Sequence, residues 1–68
     1  MNNVDLVEVA LRNLERADGW PANSLWIAPD ASGHAAIWCE RGQDKLLHCV
    51  GHVASQHFVE FIAAAALR

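Results

Sequence analysis

The sequence predicts an α+β domain of order α-β-β-β-α: a three-stranded antiparallel meander with two helices packed on one face. Three observations carry that expectation. Apolar residues recur at helical spacing at both ends of the chain. Between them they fall into short runs separated by turn residues, and the connections are too short for parallel crossovers. The length, 68 residues, leaves room for one domain, residues 1–68. A domain of that size buries only roughly 60% of its unfolded surface. With 53% hydrophobic and 19% charged residues, the chain still has the apolar material for a core.

Val4, Val7, Leu11 and Leu14 form the stripe of the first helix, and Leu6 and Ala10 widen it. Asn2 or Asn3 can cap it, because a short polar side chain accepts from the orphan N–H groups of the first turn. Asp5 sits near the positive end of the helix dipole, and Glu8 precedes Arg12 by one helical turn. Gly19 supplies a left-handed terminator, Pro21 prevents the helix resuming, and Trp20 lies where it can fold back onto the last turn.

Leu25 to Ala28 reads as a strand, "PDASG" as a tight turn with Gly33 left-handed, and His34 to Glu40 as a second strand. "RGQD" is a further turn, Lys45 to Val50 a third strand, and Gly51 breaks the pattern. A helix then runs from His52 or Ser55 to Leu67, with Ser55 as a cap and Phe58, Phe61, Ile62 and Ala65 on one face. Val59, Ala63 and Ala66 spread apolar surface beyond that stripe, so the helix is either sandwiched or meets another molecule.

Several occupations are disfavoured. The net charge of −3 lacks the basic footprint of a nucleic-acid binder. No basic segment followed by an apolar run opens the chain, and "FIAAAAL" is too short to span a bilayer. Two cysteines are too few for a disulfide scaffold, so the expected setting is soluble, reducing and cytoplasmic. There is no glycine-rich phosphate loop, G-x-S-x-G elbow or H-E-x-x-H, so neither an enzyme nor a cofactor is expected.

The soft ligands cluster in "CERGQDKLLHCVGH". Cys39, His48, Cys49 and His52 suit zinc chemically, and His48 and His52 have H-x3-H spacing. Adjacent strand residues such as His48 and Cys49 point to opposite faces, however, which opposes a shared ion. A Cys39–Cys49 disulfide requires a hairpin register that puts both on one face; a shift of one residue separates them. Trp26 and Trp38 pose a similar question. If they share the solvent face they form an aromatic binding surface; if they share the helix face they are core. Leu25, Ile27 and Ile37 alternate with them, so one apolar set faces away from the helices.

Asp5, Glu8, Glu15 and Asp18 alternate with Arg12 and Arg16 along the first helix, as an ordinary solvated face does. Together with Asp30, Glu40 and Asp44 they could present negative charge to a basic groove.

The element order and the ending "SQHFVEFIAAAALR" resemble the double-stranded-RNA-binding domain in outline. That family holds phosphates with lysines at the start of its second helix, where this chain has Gln56, His57 and Phe58 followed by Glu60. The resemblance therefore implies topology, not RNA binding. In size, acidity and lack of catalytic motifs the chain also resembles small phage-encoded anti-CRISPR proteins, several of which block the DNA channel of a surveillance complex. That resemblance implies a non-enzymatic inhibitor of a type I system, its carboxylates competing for lysines and arginines of a CRISPR effector subunit in the host cytoplasm. The alternatives are a homodimeric structural or regulatory module and a small zinc-stabilised module.

Overall fold

The computed structural model describes residues 3–41 and 45–67, with side chains from Leu6 onward in the first helix. The possible Asn2 cap and residues 42–44 of the expected "RGQD" turn lie outside the described residues. Helix α1 spans Asn3–Asp18, β1 Trp26–Pro29, β2 Ala35–Arg41, β3 Leu46–His52 and α2 Gln56–Ala66. The order is α-β-β-β-α, and the sheet order is β1-β2-β3 with both pairings antiparallel.

The expected stops hold both helices. Gly19 takes a left-handed φ of 77°, and the Trp20 N–H reaches back to the Glu15 carbonyl at 2.8 Å, closing α1. Trp20 folds onto the core edge, where the Arg41 guanidinium lies 5.1 Å from its ring centroid. Ser55 caps α2, its Oγ accepting from the Phe58 N–H at 3.3 Å.

Between α1 and β1 the chain is held by a side chain that the periodicity placed on the surface. Glu15 is only 2% exposed. Its Oε1 accepts from the Asn23 N–H at 3.0 Å and its Oε2 from the Leu25 N–H at 2.9 Å. Arg12 completes the clamp. Its Nη1 lies 3.1 Å from Glu15 Oε2 and donates to Asn23 Oδ1 at 2.7 Å, while Nη2 donates to the Leu25 carbonyl at 2.9 Å. Glu15 is thus a buried acceptor of loop amides, not part of a solvated acidic face, and that expectation is corrected.

The core lies between the helices and one face of the sheet. Ala10, Leu11 and Leu14 of α1 and Phe58 of α2 pack with Leu25, Ile37 and Cys39. Val7, Ile27, Val50, Phe61 and Ile62 border them, so both helices cover the same face. One irregularity departs from the sequence reading: Gly51 does not end the third strand. A register shift between Ile37 and Trp38 leaves Val50 without an opposite residue, and pairing resumes as Ile37↔Gly51 and Ala36↔His52.

Glu15→Ala should strand two loop amides and take from Arg12 its buried counter-charge, at a cost of roughly 3 kcal/mol. That is a large part of the few kcal/mol available to so small a domain. Urea denaturation measures it, and a loss below about 1 kcal/mol, the size of an ordinary substitution, would contradict the clamp. Glu15→Gln keeps one acceptor oxygen and should lose less.

Candidate protein-binding face

The sheet face turned away from the helices is apolar at its centre. Trp26 pairs directly with Trp38 across β1 and β2, and Trp38 pairs with Cys49 across β2 and β3. Glu40 lies opposite Leu47 and Ala36 opposite His52 on the same face. Trp26 is 36% exposed and Leu47 56%. Trp38 is half-buried, and its indole N–H donates to the Ala28 carbonyl at 3.0 Å, which fixes the ring against β1. Both tryptophans therefore belong to the solvent face, and Leu25, Ile27 and Ile37 to the core.

One end of this face is built around Asp30. Its Oδ1 accepts from the Ser32 N–H at 2.9 Å, the Ser32 hydroxyl at 2.8 Å and the His34 N–H at 2.9 Å. The backbone closes the turn as well, with Asp30 N–H on the His34 carbonyl and Gly33 at a left-handed φ of 86°. Asp30 Oδ2 pairs with His52 Nε2 at 2.9 Å, tying the first hairpin to the last residue of β3. The His52 contact, then the Ser32 hydroxyl and the backbone donors, hold the Asp30 carboxyl well below its ordinary value of 3.8. Asp30, Ala31 and Ser32 with Trp38, Cys49 and His52 line a shallow concavity there.

The acidic candidates do not form one surface. Glu15 is buried, and Asp30, its side chain 20% exposed, is taken up at the surface by the first hairpin turn and His52. Glu8 is exposed, 3.3 Å from Arg12 Nε. Asp18 is exposed near His57 Nε2 at 3.8 Å, on the helical layer, whereas Glu40 projects from the opposite face of the sheet. The Asp5 side chain and Asp44 lie outside the described residues.

Cys39 pairs with His48 on the helix side, while Cys49 and His52 lie on the outer face, so the four soft ligands are divided between two surfaces. Among the described residues no three His, Cys, Asp or Glu side chains converge as a metal would require. The two thiols are free, Cys39 buried and Cys49 exposed, because the register sends them to opposite faces. Among the described residues no helix is long and apolar enough to cross a membrane. The sequence reading missed the structural work of Asp30 and the exposed Leu47. The first was signalled by "DASG", in which an aspartate precedes a serine by two residues and a glycine by three.

Comparison with protein-family models, with curated proteins and with solved structures finds no match to this chain.

The depressed Asp30 titration sets the sign of an acid effect. The folded state favours the ionised carboxylate, so its contribution is complete above the ordinary value of 3.8 and is lost as pH falls through and below it. Urea midpoints of the wild type should therefore fall in acid more steeply than those of Asp30→Asn. Parallel declines in the two proteins would contradict this role.

Proposed function

We propose that this chain is a small protein-binding domain without chemistry of its own, docking through the outer face of its sheet. The observation that carries the reading is the Trp26↔Trp38 pair on the sheet face opposite the one that both helices cover. An antiparallel sheet with one solvated face ordinarily turns polar residues outward. Here two tryptophans, Leu47 and Cys49 occupy those positions, with Glu40 and His52 as the polar members. Tryptophan is among the residues most enriched at binding hot spots.

A narrower form of this reading is inhibition of a type I CRISPR surveillance complex in the cytoplasm of its host. The net charge of −3 and the exposed Glu40 beside the aromatic pair favour a basic partner. With Glu15 buried and Asp30 paired to its own turn and His52, the aromatic face supplies the affinity in this form, and the remaining carboxylates steer.

A type I surveillance complex incubated with the chain should lose target-DNA binding in a mobility-shift titration, less so as salt rises. Trp26→Ala should weaken inhibition about thirtyfold, the effect of losing a 2 kcal/mol hot spot. Undisturbed DNA binding would exclude the CRISPR form. Trp26→Ala acting as well as wild type on any partner would exclude the aromatic face.

A further inference from the structure

The two carboxylates of the outer face differ in what they already hold. Asp30, at one end, accepts from the Ser32 N–H and hydroxyl, the His34 N–H and His52, about as many donors as a carboxylate takes. Glu40, at the other end, is exposed, and among the described residues no ion pair or hydrogen bond reaches its side chain. It stands two residues beyond Trp38 on β2, beside that indole on the same face, with Leu47 across from it on β3. On its β1 side no strand residue stands opposite, because β1 begins at Trp26, which pairs with Trp38. Trp26 is therefore the diagonal neighbour of Glu40, within the reach of a long side chain. The chain's own cations are placed elsewhere. Arg12 is held in the Glu15 clamp, Arg16 bonds Asn13 and Arg41 lies against Trp20. Lys45 forms no ion pair among the described residues.

We infer that the outer face takes an arginine side chain of its protein partner, the guanidinium bonding Glu40 and stacking on the Trp26 ring. This deepens the docking reading and rests on it. Charge complementarity selects the occupant: an unpaired carboxylate beside two indoles, in a chain of net charge −3, calls for a cation. An apolar partner covering the tryptophans would desolvate Glu40 with nothing to pair it, and an anionic one would meet its charge. Arginine fits better than lysine. Its planar guanidinium offers paired donors to a carboxylate, stacks on an indole and is the more weakly hydrated of the two. The chain makes the same kind of contact itself, where the Arg41 guanidinium lies 5.1 Å from the Trp20 ring centroid.

An NMR titration with acetyl-Leu-Arg-Leu-amide tests this, read at the Trp26 indole N–H and the Leu47 methyl groups. Counterparts with lysine or neutral citrulline at the centre keep the apolar flanks constant. The arginine peptide should shift both signals saturably, and the lysine peptide should bind less tightly. Citrulline should bind about tenfold more weakly than arginine. Glu40→Gln should weaken the arginine peptide about fivefold, whereas Glu60→Gln, on the exposed side of α2, should leave it unchanged. Equal binding of the three peptides overturns the arginine, and so does an arginine peptide indifferent to Glu40→Gln. If Trp26→Ala abolishes such binding, the docking face itself still stands. No shift with any peptide also overturns the arginine, and the surveillance-complex titration then decides the docking face separately.

Discussion

The carboxylate of Glu15 sets the phase of the first strand. By accepting the Leu25 N–H while Arg12 donates to the Leu25 carbonyl, α1 holds that residue with its side chain in the core. A strand alternates with period two, so a slip of one residue would send Leu25 out and Trp26 in. The register Trp26↔Trp38 and Ile27↔Ile37 then follows from where the strand begins. The same contact satisfies backbone groups beside an open edge and leaves less of β1 for another chain to pair with.

With the phase set, this small domain divides its apolar residues between two uses. One set meets Leu11, Leu14 and Phe58 and forms the core. The other, centred on Trp26 and Trp38, stays on the far side of the sheet, where no second layer of the described residues covers it. The Asp30–His52 pair ties the turn after β1 to the end of β3 and so supports this uncovered layer at one end. The Glu15–Arg12 clamp supports it at the other, where β1 begins.

The helices, their ends and the first hairpin turn were legible in the sequence because their signals are local. The Val7–Leu11–Leu14 stripe, Gly19, Gly33 and the Ser55 cap each act within a few residues of themselves. The faces of the strands were not legible, because Leu25 and Trp26 are both apolar and alternation alone does not rank them. Cys39 and Cys49 pose the same problem across a hairpin, whose register includes a bulge beside Gly51, the residue that the sequence reading took as the end of the strand. Glu15 was misread for a related reason: its spacing from Arg12 is that of an ordinary surface pair, and only the docked loop buries it. Asp30 has a local turn signature, but its bond to His52 spans 22 residues.

The phase of β1 is tested most directly by NMR with a soluble paramagnetic agent, read at the side chains of consecutive residues. Trp26 and Leu47 should broaden strongly, while Leu25, Leu14 and Phe58 keep their intensity. Broadening of Leu25 with Trp26 spared would place the aromatic residue in the core and contradict both the Glu15 clamp and the binding face built on it.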